Sequence, residues 1–544
     1  MLVEEVLRDK TMIGRPIFAV ALAAAVMVVP LRAEVPPTTP TVETAQGKVQ
    51  GLKNDGVDVF LGLPYAAPPV GPLRFKAPQP ANSWQGVYDA TTMGAPCMQM
   101  YSPSGPNVSD LTRQLQTVFP TAGEAKIDNE NCLFLNVWTP HADAAKRPVM
   151  VWFHGGGYAY GSGGWPVYNG RNLSAKGDVV VVTVNHRLNA FGYAYLGDKD
   201  SGFANSGNVG NLDLVASLEW VRENIARFGG DPDNVTIMGE SGGGSKVSHL
   251  LATPAANGLF DKAVIQSGPG VTTGKKADAA KLAADLMAKL GVSTVAELQA
   301  VPAEAMLEAA RAVLPARAMA GGGPNFGPIA DGVVLSGDPF LPAAPTQSKA
   351  VPVLIGFNKD EMTIFNASQP WFGRLDAATL DAMALGMGPE AAATVAWLKA
   401  QKPDESPTYI ANSAMTWRFA QGSYTIADQI ARAVGAPVYV YKLTWETPVA
   451  GGALRSPHTL DLPLMFDNVK SSRALVGEGD APETMATMMS DAWIAFAKTG
   501  TPASPLLPTW PAYTLKNRPV MELDLTPQVV NDPDKGLRVL SAKR

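Results

Sequence analysis

The 544-residue chain has two cysteines and five histidines. That excludes a disulfide-dense scaffold. The histidines (141, 154, 186, 249, 458) show no H-x-x-x-H or Cys/His spacing, so no metal site is expected. Basic runs and aromatic-interleaved basic stripes are also missing, and the formal net charge is −5, which gives no electrostatic reason to expect nucleic acid. There is no internal repeat and no long linker. No apolar run is long enough for a comfortable membrane span. The longest near the N-terminus, Ile17–Val29, has 13 residues. Lys10 and Arg15 precede it and Leu31-Arg-Ala33 follows, the layout of a secretory signal peptide with a small-residue cut site. Residues 1–33 are therefore expected to be a signal peptide, with Met12 as an alternative start because Glu4, Glu5 and Asp9 are odd for such a leader. The mature chain would be periplasmic or secreted, with no stable membrane anchor after cleavage. In an exported protein Cys97 and Cys132 favour a disulfide closing a loop of roughly 35 residues, the alternative being two buried thiols.

What the sequence does have is an apolar fraction of 46% and alternating elements. Val42 to about Phe60 reads as a small β-hairpin region. Pro148–Phe153, Val179–Val184, Ala263–Gln266, Val351–Ile355 and Ala436–Tyr441 are short, β-branched or apolar, and bounded by turn formers, as buried parallel strands should be. Leu212, Val215, Leu218, Val221, Ile225 and Phe228 recur at helical spacing and stop at Gly229-Gly230. A second helix is expected from about Pro482 to Gly500, and residues 275–320 read as short inserted helices. This alternation predicts one large α/β domain over 34–544, with a mostly parallel central sheet and helical insertions.

Two motifs carry chemistry. Val235-Thr-Ile-Met precedes Gly239-Glu-Ser241-Gly-Gly243. A strand, then G-x-S-x-G, then a helix presents a serine on a sharp turn, where a histidine and a backbone N–H can both reach it. Glycines at 239 and 243 remove side chains that would clash where strand and helix meet. The second motif, His154-Gly-Gly-Gly157, follows the Pro148–Phe153 run and offers unhindered N–H groups for an oxyanion. Together they point to a serine hydrolase.

Gly229 through Gly243 resembles the serine signature of the type-B carboxylesterases, the family of bacterial para-nitrobenzyl esterases and animal cholinesterases. Glu130-Asn-Cys-Leu-Phe-Leu-Asn136 is similar to the family's second signature, with Cys132 in the disulfide position. Tyr65–Gly71, Pro72–Phe75 and the Trp493–Gly500 segment also match, so the resemblance covers about 40–525. It implies an α/β-hydrolase fold without cofactor, with Ser241 as nucleophile, Glu361 as acid and His458 as base. It also implies oxyanion donors at Gly155, Gly156 and Gly242, and a small-molecule ester as substrate. Asp360 is the rival acid. His186 and His249 are the rival bases, expected to pack instead, and His154 is expected to orient the glycine turn. Glu240 is expected to be structural, and Arg74 with Glu130 an ion pair. Tyr158 and Trp165 stand as pocket candidates, with core packing as the alternative. Three positions depart from the family: Gly242 for the usual Ala, Met362 for Gly, and Leu214 for Gln. The same nucleophile would also serve amide, carbamate or acyl-transfer chemistry. A silent, cholinesterase-like binding module is the reading from another class.

Overall fold

Residues at alternate positions of each central strand face opposite ways, and in this chain both sets are apolar. Val149, Val151 and Phe153 join one core with Val182, Ile237, Ile265, Ile355 and Val440. Their neighbours Met150, Trp152, Val181, Met238, Val264, Leu354 and Tyr441 join another. A sheet apolar on both faces must be covered on both, and helices do so. Leu214, Leu218, Val221 and Ile225 cover the first face, and Met489, Trp493 and Phe496 the second.

The computed structural model describes residues 38–100, 110–119, 128–314 and 325–542. The expected signal peptide lies outside them, as does the end of the 275–320 stretch. Residues 37–544 form one unit. An 11-stranded sheet runs in the order Gln528–Asn531, Pro519–Leu523, Val438–Leu443, Val353–Asn358, Lys262–Gln266, Gly230–Glu240, Arg147–Phe153, Val180–Val184, Phe134–Thr139, Val57–Pro64, Leu52–Asn54. The pairings from Pro519–Leu523 through Val180–Val184 are all parallel. Both margins are antiparallel. This is the expected mostly parallel α/β-hydrolase sheet.

Element boundaries moved where proline intervenes. The strands expected from Val351 and Ala436 begin at Val353 and Val438, each just after a proline. Proline has no N–H for the ladder, yet its carbonyl still accepts. Pro352 O takes the Ala263 N–H at 3.0 Å, and Pro437 O takes that of Val353 at 3.0 Å. The first expected helix spans Val209–Asn224, tightens into a 3-10 turn to Phe228, and ends at left-handed Gly229. The C-terminal one spans Asp480–Thr499 and ends at left-handed Gly500. Helices Lys276–Leu290, Val295–Ala300 and Ala303–Val313 form the insertion over a separate apolar cluster containing Phe191 and Phe203. A 27-residue helix, Pro407–Ala433, was not anticipated; it covers the first sheet face through Ile426 and Ile430.

Candidate active site

Register brings the ends of four strands level. Phe153 pairs with Gly239, Gln266 with Glu240, and Gln266 with Gly356. Everything that follows those ends gathers at one rim, where α/β sheets place their ligand sites. Ser241 comes one residue past its strand, with φ 56° and ψ −124°, and caps the helix Gly242–Leu250. A serine holds that left-handed value only under constraint. Here its N–H donates to Gln266 O at 2.8 Å. A Cβ on Gly239 would overlap the Gly243 backbone, and one on Gly243 would overlap the Phe153 carbonyl. Those contacts leave no room for a wider turn.

Glu361 and His458 come from the loops after strands Val353–Asn358 and Val438–Leu443. Glu361 Oε2 lies 2.5 Å from His458 Nδ1, and Glu361 Oε1 accepts the Asn358 N–H at 2.7 Å. The His458 N–H also donates to Glu361 O. Asp360 turns aside: its backbone pairs with Ser456 and its carboxylate accepts the Ser456 N–H. On the far side of the imidazole, Nε2 lies 3.2 Å from Glu240 Oε1. A third carboxylate, Asp461, accepts from Gln266 Nε2 at 2.7 Å and from Tyr441 OH at 2.9 Å. Trp493 Nε1 in turn donates to Gln266 Oε1. Glu240, Glu361 and Asp461 are all buried around one imidazole. Burial pushes Glu240 up to about 8. Burial also disfavours the charged imidazole, but Glu240 and then Glu361 outweigh it and raise His458 to about 9.

The glycine turn lies over the elbow. Gly155 is buried, Gly156 half-exposed and Gly157 exposed. Burial and then Glu240 push the Tyr168 phenol well above its ordinary pKa, and the Gly155 backbone acts on it in the opposite direction. Gly156 and Gly157 have φ 82° and 63°. A Cβ on Gly242 would sit 2.5 Å from Gly157 N, so these two backbones touch. Of the expected donors, Gly242 packs on the backbone of the neighbouring Gly157, and a Cβ built on Gly155 would lie 3.4 Å from Ser241 Cβ.

Residues 38–539 match the carboxylesterase family over nearly the whole described chain. The chain belongs to that family. It is 37% identical over 502 residues to the para-nitrobenzyl esterase of Bacillus subtilis (strain 168), covering 91% of this chain and 97% of that one. Against the phenmedipham hydrolase of Pseudarthrobacter oxydans the figures are 32%, 88% and 93%. A crystal structure of a Geobacillus stearothermophilus carboxylesterase superposes with a TM-score of 0.79 at 36% identity, covering 92% of this chain and 99% of that chain. This carboxylesterase is a carboxylic ester hydrolase.

The remaining sites fall into place around the elbow. Cys97 and Cys132 form a disulfide, and Arg74 makes a bidentate pair with Glu130. Leu214 is fully buried in the core, and the Met362 N–H donates to Thr416 Oγ1. The Tyr158 hydroxyl bonds Ser245 Oγ at 2.8 Å and His249 Nδ1 at 3.3 Å. Trp165 stacks on Tyr168 with centroids 5.9 Å apart. His154 and His186 stack on each other at 4.6 Å, both held neutral by burial. His154 Nδ1 lies 2.9 Å from Gly155 O. Among the described residues no group of His, Cys, Asp and Glu could hold a metal. Sequence reasoning missed the aromatic flank of His458: Phe365 and Phe419 have ring centroids 5.1 and 5.5 Å from that of the imidazole. Phe365 follows Glu361 by four residues and is 47% exposed. An aromatic four residues after Glu361 was the available signal.

Proposed function

We propose that Ser241, His458 and Glu361 hydrolyse carboxylic esters through an acyl-serine intermediate. The observation that carries this is the imidazole clamped by Glu361, with its Nε2 3.2 Å from Glu240, the residue before an elbow serine at φ 56°. Ser241 Oγ attacks the ester carbonyl as its proton passes to His458 Nε2. Glu361 fixes the tautomer with Nδ1–H and stabilises the imidazolium without taking the proton. Glu240 Oε1, on the Nε2 side, adds to that stabilisation. The oxyanion is held by the N–H groups of Gly156, Gly157 and Gly242, one residue along from the set the sequence suggested. The positive end of the Gly242–Leu250 helix reinforces them. As the tetrahedral adduct collapses, the alcohol leaves with the Nε2 proton. Water then attacks the acyl-serine by the same route and releases the acid.

Phe365 and Phe419 give the alcohol side an apolar wall, which suits aryl or benzyl-type esters. The likeness to a para-nitrobenzyl esterase supports the same class. Turnover of a chromogenic panel tests it: p-nitrobenzyl and p-nitrophenyl esters should be cleaved with higher kcat/KM than methyl esters of the same acid. We also propose export, supported by the Ile17–Val29 run and the Cys97–Cys132 disulfide. N-terminal sequencing of the mature protein should begin at Glu34.

A further inference from the structure

The helix after the nucleophile opens with small residues, Gly242-Gly-Gly-Ser, and then places Lys246 where the chain is 1% exposed. Removing an ammonium from water is expensive, and buried lysines are normally held by a carboxylate. The acid that acts on Lys246, Glu240, does so at a distance and not through a hydrogen bond. Lys246 Nζ instead donates to two main-chain carbonyls, His154 O at 2.8 Å and Gly157 O at 2.9 Å. It lies 5.2 Å from the centroid of the Tyr158 ring. Those carbonyls bracket the glycine turn. Three successive glycines have more conformational freedom than any other tripeptide, and an unclamped turn would scatter its amides over many orientations.

A second contact converges on the same loop. Gly242 and Lys246 stand four residues apart in the helix Gly242–Leu250 and share a face. That face offers Gly157 a bare backbone at one turn, where a Cβ would collide, and N–H donors at the next. We propose that Lys246 is a positioning residue for ester hydrolysis: it clamps the glycine turn at both ends, so that Gly156 N–H and Gly157 N–H meet the oxyanion together with Gly242 N–H.

The inference rests on the oxyanion role given above to that turn. Glu240, the stacked pair His154 and His186, and the Tyr158 ring are the titratable groups facing Lys246. Burial pushes the lysine down to about 7. The clamp spans two carbonyls, and a neutral amine still carries two N–H donors, so it holds on both sides of that value.

The test is Lys246→Met, which keeps an unbranched side chain one atom shorter and removes the donors, beside Lys246→Gln, which restores an NH2 group without charge. Active sites are first counted with a fluorophosphonate. Per labelled site, Lys246→Met should lose about 10- to 100-fold in kcat on p-nitrophenyl butyrate with KM within about two-fold. An aryl trifluoromethyl ketone, which forms an oxyanion on the serine, should bind weaker by the factor lost in kcat/KM. The matching alcohol should bind unchanged, and Lys246→Gln should recover part of the kcat. Wild-type kcat and ketone affinity in the Met variant, or a Gln variant no better than Met, would overturn the clamp. Failure of the wild-type protein to label at Ser241 would sink the serine mechanism itself, and the clamp with it.

Discussion

Glu240 Oε1 lies 3.2 Å from His458 Nε2, the ring nitrogen opposite the one that Glu361 holds. The residue before Ser241 thus faces the imidazole proposed as the base. Two acids on one imidazole favour its protonated form, and the base works only after that proton leaves.

The acid limb of kcat/KM should therefore lie above the ordinary imidazole value of 6.5, because His458 is raised to about 9. Activity is lost as pH falls through the raised value. Glu240→Gln removes the largest upward influence, so the limb should move to lower pH, read from kcat/KM profiles of the two proteins. An unmoved limb would show that Glu240 does not act on the base.

Gly242→Ala adds a Cβ that meets the Gly157 backbone. The turn must retreat and its donors with it. We expect kcat to fall by about 10- to 100-fold with KM little changed, as for loss of part of an oxyanion site. Steady-state kinetics on p-nitrophenyl esters checks this.

Phe365→Ala should raise KM for p-nitrobenzyl esters several-fold and leave methyl esters nearly untouched, since the exposed ring contributes apolar contact to the alcohol side alone. Paired KM values on the two ester series decide it.

The Cys97–Cys132 bond closes a 35-residue separation and restricts the unfolded chain. Replacing both by serine should cost about 3–4 kcal/mol of stability in urea denaturation. The folded fraction should keep its kcat.

Local signals made much of the site legible. The elbow glycines, the glycine turn after Phe153 and an acid just past Asn358 are each a few residues long and set by their own strand ends. The disulfide and the Arg74–Glu130 pair came with the family signatures. What stayed hidden depends on distant packing. Gly157 packs on Gly242 and Gly155 on the Glu240–Ser241 corner, contacts between segments far apart in the chain that no local pattern announces. Phe419 reaches His458 from the middle of the Pro407–Ala433 helix, whose Gly422 and polar interior obscure its apolar stripe. Tyr158 seemed equally suited to pocket or core; its hydroxyl is already taken by Ser245 and His249.

The central claim is that Ser241 is the nucleophile, and a fluorophosphonate probe with peptide mapping tests it most directly. Ser241 should label stoichiometrically with parallel loss of p-nitrophenyl ester turnover, and Ser241→Ala should show neither labelling nor turnover. Near-wild-type turnover in Ser241→Ala, or labelling at another residue, would contradict it.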